Sequence, residues 1–221
     1  MEWVVKVGGS LFPENAIKLV ESLVGKNVLI VCGGGSFADQ VREYDDIIGF
    51  SETANHKSAI KCMDIIGILL ADKIDHAKAV YSMEEAKNAI SNSKLPILLP
   101  SLLLDFFDPL EHSWKVTSDS LSFYISHLLE TKLIIATDVD GIYTDQPSSS
   151  DAKLIRNISA KKLLSFGETS IDEALPQLLL KYKSNCHIVN GKYPKRAISI
   201  IDGKSKGKNR NTLKYTFIRG D

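Results

Sequence analysis

Residues 3–10 read WVVKVGGS, and residues 27–36 read NVLIVCGGGS. Each stretch is a short apolar run that stops at consecutive glycines, which is typical of buried parallel strands. A helix is predicted after each one, because apolar residues recur with helical spacing over 16–23 and because 37–44 can also form a helix. Two consecutive strand–turn–helix units predict an α/β fold with a mainly parallel sheet.

The alternation continues to the end of the chain. Helices are predicted at 55–71, 83–90, 123–129 and 173–183, and strands near 78–80, 96–99, 133–136, 187–189 and 213–218. The segments 146–152 and 202–211 are rich in Ser, Gly, Lys and Asn, so we expect solvated, mobile loops there. A length of 221 residues suits one α/β domain, which can be divided into two lobes.

The charge balance and the cysteine content limit the classes of function that the protein could have. The 27 basic residues equal the 27 acidic residues, so no global positive field exists to hold nucleic acid or an anionic membrane, and a small-molecule partner is expected. The chain starts almost at once with a strand and contains no apolar run long enough for a membrane helix, which predicts a cytoplasmic protein. Cys32, Cys62 and Cys186 are widely spaced and are interpreted as reduced core thiols.

Both glycine turns have the form of a phosphate cradle. Glycine lets the backbone approach a ligand, and the following helix N-terminus offers free N–H groups and partial positive charge. Lys6, two residues before Gly8, would be badly placed in a sheet core unless it met an anion. The alternative is that Lys6 lies at a sheet edge and the glycines only turn the chain. Neither turn has the spacing of a Walker loop or of a dinucleotide-binding loop.

A second polar cluster follows the predicted strand 133–136. The sequence TDVDGIYT (137–144) places two carboxylates where ligands bind in open α/β sheets. They could hold magnesium, orient a lysine or accept hydrogen bonds from a ribose, while Tyr143 could cover a base. An Asp-Gly turn with helix-capping acids is the alternative. Asp119 lies close to a predicted helix start, where it could be a cap or could steer a lysine or a metal ion.

Four motifs, taken together and in order, resemble those of the amino-acid-kinase superfamily. They are KVGGS (6–10), GGGS (33–36), TSD (117–119) and TDVDGIYT (137–144). The resemblance runs from the first strand to the last and implies a three-layer αβα sandwich. It also implies an N-terminal lobe (about 1–115) that binds the phosphoryl acceptor and a C-terminal lobe (about 116–221) that binds ATP. Kinases of this family commonly assemble as homo-oligomers.

The resemblance assigns the site residues as follows. ATP, carrying Mg²⁺, is expected at Lys6, Gly8, Gly9, Ser10, Thr137, Asp138, Asp140, Gly141 and Tyr143, with no firmly assigned protein ligand for the metal. The acceptor is expected at Gly33, Gly34, Gly35, Arg42 and His56. The catalytic residues are expected to be Lys6, Asp119 and Asp138, with both acids organising the lysine or the metal rather than acting as bases.

Local patterns resemble one archaeal branch of the superfamily, whose kinase phosphorylates (5-aminomethyl-3-furyl)methyl phosphate in methanofuran biosynthesis. The patterns are GGGSFAD (33–39) with Arg42 and Asp45, His56 with Met63-Asp64, and VNGKYP (189–194) with Arg196. Isopentenyl phosphate kinases place a histidine shortly after the triple glycine, whereas Ala38-Asp39 stands here. Acetylglutamate kinases carry a second lysine that has no clear match, with Lys181 and Lys183 as weak substitutes. At the position of the family's terminal Gly-Thr, this sequence has Asn211-Thr212.

Other functions stay open at this stage. The acceptor could instead be isopentenyl phosphate, UMP or an amino-acid carboxylate, which would require a different pocket beyond Gly35. A nucleotide or oxoanion binding protein without turnover could use the same scaffold. A glycine-rich oxidoreductase is disfavoured, because no G-x-G-x-x-G follows a strand.

Overall fold

The computed structural model describes residues 1–146, 148–149, 151–166, 169–204 and 213–221. Strands and helices alternate along these ranges. The strands are β1 (Trp3–Val7), β2 (Val28–Cys32), β3 (Ala77–Val80), β4 (Leu95–Leu98), β5 (Lys132–Thr137), β6 (Asn157–Ser159), β7 (Cys186–Asn190) and β8 (Thr216–Arg219). The α-helices are α1 (Glu14–Ser22), α2 (Gly35–Ile48), α3 (Glu52–Lys73), α4 (Met83–Ser91), α5 (Ser101–Phe106), α6 (Ser118–Leu128), α7 (Ala160–Leu163), α8 (Leu175–Lys181) and α9 (Pro194–Ile201).

The eight strands form one sheet in the order β3-β4-β2-β1-β5-β7-β8-β6. Neighbouring strands are parallel, except that β7 and β8 run antiparallel. From the central strand β1 the chain moves outward through β2 on one side, and it later resumes at β5 on the other. The strand order therefore reverses between β1 and β5, which is where ligands bind in open α/β sheets.

Helices cover both faces of this sheet. Along β1, Val4 belongs to an apolar cluster that includes Phe123 of α6, whereas Val5 belongs to a second cluster that includes Leu19 of α1 and Ile200 of α9. Alternation of side chains along a strand sends successive residues to opposite faces, so each face has its own core. The predicted three-layer αβα sandwich with a mainly parallel sheet is confirmed.

Most predicted elements are present with shifted ends. The helix expected at 55–71 is longer and begins at Glu52, because the Ser51 side chain caps it by accepting from the Ala54 N–H at 3.2 Å. The strand β6 and the helices α5, α7 and α9 were not predicted. Within the two expected loops, residues 147, 150 and 205–211 lie outside the described residues, as does the Asn211-Thr212 pair.

The expectations for cysteine are confirmed. Cys32, Cys62 and Cys186 are all free and buried. Burial raises the pKa of the Cys32 thiol to about 12, despite the nearby charge of Lys6, so this thiol is protonated at neutral pH. No helix in the described part of the chain is both long and apolar enough to cross a membrane.

Candidate active site

The two glycine turns meet at the carboxyl ends of β1 and β2. The Gly33 N–H donates to the Val7 carbonyl at 2.8 Å, and the Gly8 N–H donates to the Ala136 carbonyl at 2.8 Å. A Cβ atom added to Gly9 would lie 2.3 Å from both the Cα and the N of Gly35. The turns therefore touch backbone to backbone, a contact that only glycine permits.

Lys6 projects from β1 into the space beside these turns. Its side chain is 9% exposed, and its Nζ lies 2.6 Å from Oδ1 of Asp119, whose side chain is 7% exposed. A Cβ atom added to Gly33 would lie 3.5 Å from Cε of Lys6, so the lysine stem runs close past the second glycine turn. The interpretation of Lys6 as a sheet-edge residue is wrong, since β1 is the central strand paired with β2 and β5.

Asp119 is held in place by a residue that the sequence did not single out. The Asp172 N–H donates to Asp119 Oδ2 at 3.3 Å. The Asp172 carboxylate in turn caps α6, because it accepts from the N–H of Thr117 at 2.8 Å and of Ser120 at 3.0 Å and from both hydroxyls. Asp119 itself is free to pair with Lys6, so the alternative of Asp119 as a helix cap is wrong.

Two neighbouring carboxylates in a poorly solvated site affect each other. Burial raises the pKa of the Asp172 carboxyl, the charge of Asp119 raises it further, and the hydrogen bonds from Ser120 and Thr117 only partly offset both effects. The ammonium of Lys6 supplies the balancing positive charge on the other side of Asp119.

A cavity of about 480 Å³ opens beside Lys6 on the α2 and α3 side. Its walls include most of the residues expected to bind the acceptor, namely Gly34, Gly35, Arg42 and His56, together with Asp39, Met63, Trp114 and Leu121. The Arg42 guanidinium stacks on the Trp114 ring, 4.6 Å from its centroid, and has no carboxylate partner among the described residues. It is therefore a cation available to an anionic ligand. Lys57 and Lys61 do not line this cavity, and both ammonium groups lie 3.5 Å from the Asp105 carboxylate on the surface.

A second cavity, of about 840 Å³, lies at the carboxyl end of β5. Its walls include Thr137, Asp138, Gly141 and Tyr143, which were expected to bind ATP, and also Phe166 and Asp172. Thr117 and Thr137 line both cavities, so the two spaces meet next to the Lys6–Asp119 pair. The Asp138 side chain is 43% exposed and lies 4.0 Å from Lys192, which leaves its oxygens accessible to a ligand.

Asp140 points away from this second cavity. Its carboxylate pairs with Arg196 of α9, accepts from the Asn190 amide at 3.1 Å and lies 3.3 Å from the Lys214 ammonium. Although burial raises the pKa of the Asp140 carboxyl, Arg196 and Asn190 lower it more, and the pKa falls below its usual range. These contacts fix the acidic turn against β7 and α9, while the expected contact of Asp140 with ATP stays a prediction.

Neither weak substitute for the second lysine lies at the cavities. Lys181 places its ammonium 5.2 Å from the Tyr182 ring centroid, and Lys183 follows the end of α8 in a left-handed conformation with φ of 49°. Lys192, within the VNGKYP motif, is the lysine that approaches Asp138.

Comparison with known proteins places this geometry in a family. Residues 1–190 match the model of the amino acid kinase family. The chain belongs to the amino acid kinase family. A relative from Methanocaldococcus jannaschii, named as a (5-(aminomethyl)furan-3-yl)methyl phosphate kinase, is 44% identical over 207 residues, which cover 91% of this chain and 93% of the relative. A uridylate kinase from Thermofilum pendens is 29% identical, over 72% of each chain.

Solved structures of amino acid kinases share the fold. The uridylate kinase from Archaeoglobus fulgidus superposes with a TM-score of 0.71 at 21% identity, covering 99% of this chain and 100% of that one. The isopentenyl phosphate kinase of T. acidophilum gives a TM-score of 0.62 at 19% identity, covering 99% and 100%. The predicted family and the predicted enzyme class, a phosphotransferase, are confirmed by the named kinases among the relatives.

In this amino acid kinase, Gly9→Ala should cost about 1–3 kcal/mol of unfolding free energy, because the added methyl group would overlap the backbone of Gly35. Urea denaturation of the variant measures the loss. Ser10→Ala is the control, since its side chain is exposed next to the same turn. A Gly9→Ala protein as stable as the Ser10→Ala protein would contradict the close approach of the two turns.

Asp140→Asn should lower the unfolding free energy at pH 7 by about 1.5–3 kcal/mol, the usual range for hydrogen bonds to a charged group. Because the pKa of the Asp140 carboxyl is depressed in the folded protein, its stabilisation is present above the unfolded pKa and disappears as the pH falls through the folded one. Denaturation curves of wild type and variant should therefore converge in acid. Asp202→Asn, which removes an exposed pair with Lys26, is the control and should change the unfolding free energy much less. An equal loss in both variants would contradict a stabilising role of the Asp140 contacts.

Proposed function

We propose that the protein is an ATP-dependent kinase that converts (5-aminomethyl-3-furyl)methyl phosphate to its diphosphate in methanofuran biosynthesis. The observation that carries the proposal is the 44% identity, over nearly the whole of both chains, to the M. jannaschii kinase named for this acceptor. The proposal places the protein in the cytoplasm of an archaeon, where it meets ATP and a small phosphate monoester.

The acceptor is assigned to the cavity beside α2 and α3, and ATP to the cavity at the end of β5. This assignment follows the proposed lobes, about 1–115 and 116–221. The N–H groups of Gly9, Ser10, Gly34 and Gly35 would face the phosphates, because those of Gly8 and Gly33 donate to backbone carbonyls. Arg42 supplies the cation for the acceptor phosphate, because its guanidinium is free of carboxylates and donates in a planar fork. His56 also lines this cavity, although its Nε2 is engaged by Asp108 at 2.6 Å.

One further feature of the acceptor cavity favours this substrate. The wall of the cavity carries the Asp39 carboxylate, in the first turns of α2 and three residues before Arg42. An acid and a free cation in one cavity suit an acceptor that carries both a phosphate and an ammonium group. The aminomethylfuryl acceptor has both groups, whereas isopentenyl phosphate has no cationic group.

The reaction needs alignment and charge neutralisation more than covalent chemistry. An oxygen of the acceptor phosphate attacks the γ-phosphorus of ATP, the bond from that phosphorus to the β–γ bridging oxygen breaks, and ADP leaves. No general base is required, because the acceptor phosphate is ionised near neutral pH. Lys6, held by Asp119, lies where the two cavities meet and stabilises the negative charge on the transferring group.

The residues at the nucleotide cavity also suit a magnesium ion. Mg²⁺ prefers oxygen ligands and is commonly held by one or two carboxylates together with substrate phosphates. The Asp138 carboxylate is half-exposed at the wall of this cavity and would hold the ion, which supplies further neutralisation of phosphate charge. Asp119 is paired with Lys6, so Asp119 orients the lysine whereas Asp138 would hold the metal ion.

The test is ADP release with Mg²⁺ and ATP over a panel of (5-aminomethyl-3-furyl)methyl phosphate, isopentenyl phosphate, UMP and acetylglutamate. We expect turnover of the furan phosphate. Lys6→Ala should reduce kcat by roughly 10²–10³, the usual effect of removing one preorganised donor. Lys18→Ala, which changes an exposed lysine on α1, is the matched control and should leave the rate unchanged.

Each other result would change the proposal in a defined way. Preferential turnover of UMP or isopentenyl phosphate would keep the kinase and reject the furan acceptor. Full activity of the Lys6→Ala variant would reject the assigned centre. Absence of ADP release with every acceptor would favour a nucleotide-binding protein without turnover.

We also propose that the protein is a homo-oligomer. Large apolar side chains are exposed on α3 and on the two helices that contact it, α2 and α5. They are Ile47, Ile48, Ile65, Ile68, Leu69, Leu102 and Phe106, of which Ile47 is 78% and Phe106 is 76% exposed. An apolar surface of this kind is typical of a protein–protein interface, and a second copy would cover it.

Ile68→Glu combined with Phe106→Glu should convert the oligomer to a monomer, because two carboxylates would have to be buried in the interface. Size-exclusion chromatography with light scattering measures the mass. Leu128→Glu is the matched control, since Leu128 is 47% exposed on α6, away from this face. A monomeric wild type, or an equal effect of the control, would contradict the proposed interface.

A further inference from the structure

Two histidines and an aspartate converge outside the proposed catalytic centre. His56 lies near the start of α3, whereas Asp108 and His112 lie in the connection between α5 and α6. One ligand atom from each residue lies within 4.8 Å of the other two. We infer that His56, Asp108 and His112 form a binding site for a divalent transition-metal ion of the zinc class.

The distances fit a site of this kind. Oδ2 of Asp108 lies 2.6 Å from Nε2 of His56 and 3.9 Å from Nε2 of His112. Zinc–ligand bonds of about 2.0–2.1 Å in a tetrahedron place neighbouring ligand atoms roughly 3.4 Å apart. The two observed distances lie on either side of that value, and the third pair of ligand atoms lies within 4.8 Å. Because the rings of His56 and His112 are stacked and a nitrogen lone pair lies in the ring plane, the two rings must rotate for both lone pairs to converge on one ion. Two imidazoles and one carboxylate favour zinc over magnesium, which takes oxygen ligands.

Outer contacts orient the same three side chains. His112 Nδ1 lies 2.9 Å from the Thr53 hydroxyl, and an Nδ1–H that donates to Thr53 leaves Nε2 with a free lone pair. Oδ1 of Asp108 accepts from the Leu110 N–H at 3.0 Å, which leaves Oδ2 for the ion. Hydrogen bonds from second-shell groups are how proteins fix ligating imidazoles and carboxylates.

The side chains are also enclosed. The side chains of His56 and Asp108 are 2% and 8% exposed, and the rings of His56 and His112 stack with centroids 4.4 Å apart. A buried carboxylate requires a compensating positive charge. Oδ2 of Asp108 has His56 Nε2 as a neighbour at 2.6 Å, and a divalent cation held by both side chains would supply this charge.

The site would fasten one wall of the acceptor cavity. The connection between α5 and α6 carries Trp114 and Val116, which line that cavity together with His56. An ion held by His56 on α3 and by Asp108 and His112 on the connection would hold these two parts of the wall together. It would be structural and separate from the ion expected at Asp138, and it does not depend on the identity of the acceptor.

The test uses the full chain with any affinity tag removed and after dialysis against a chelator. Zinc is titrated against a chromogenic competitor, and thermal unfolding is followed with and without zinc. We expect one zinc ion per chain and a higher Tm with zinc in the wild type. His112→Ala should bind at least about tenfold more weakly, and Thr53→Val, which keeps all three ligands, about 10–100-fold more weakly.

His76→Ala, an exposed histidine outside the cluster, is the matched control and should bind zinc as the wild type does. His112 is partly exposed, so its replacement should leave the metal-free Tm close to that of the metal-free wild type. Failure of the wild type to bind zinc more tightly than His112→Ala would overturn the inference. Such a result would identify the cluster as a His–Asp hydrogen bond and would leave the proposed kinase activity unaffected.

Discussion

The ammonium of Lys6 is the constraint on which the site depends. A charged group inside a parallel sheet is costly unless it is paired and hydrogen-bonded. Asp119 provides the pair at 2.6 Å, and the Asp172 N–H holds the second oxygen of Asp119. Because Asp172 also caps α6, the pairing of Lys6 is tied to the helix that follows the acceptor half of the chain. The pairing of the buried lysine, the capping of α6 and the place where the two cavities meet therefore depend on one another.

The glycines make that arrangement useful to a ligand. With a side chain at Gly9, the two turns would separate, and the space beside Lys6 would no longer be bordered by backbone N–H groups from both. The strand order also brings ligand-binding groups together, over a larger distance along the chain. It brings the ends of β1, β2 and β5 to one crevice, so groups far apart in the chain surround one lysine.

The fold and much of the site were predictable because their signals are local or shared with a family. The strand–glycine–helix units at 3–23 and 27–44 predict the sheet, and the motifs around Lys6 and Asp138 predict where ligands bind. The contacts of Asp172 with α6 and of Asp140 with α9 were not predictable, because Thr117 and Ser120 lie 55 and 52 residues from Asp172 and Arg196 lies 56 residues from Asp140. The His56–Asp108–His112 cluster was missed for the same reason, since it joins positions 52 residues apart.

We propose that the phosphoryl group passes directly from ATP to the acceptor beside Lys6. The stereochemical course tests it most directly, using ATP made chiral at the γ-phosphorus with oxygen isotopes and analysing the configuration of the transferred group. One in-line displacement between the two cavities predicts inversion of configuration at phosphorus. Retention would require two displacements and a phosphorylated enzyme intermediate, and it would contradict direct transfer.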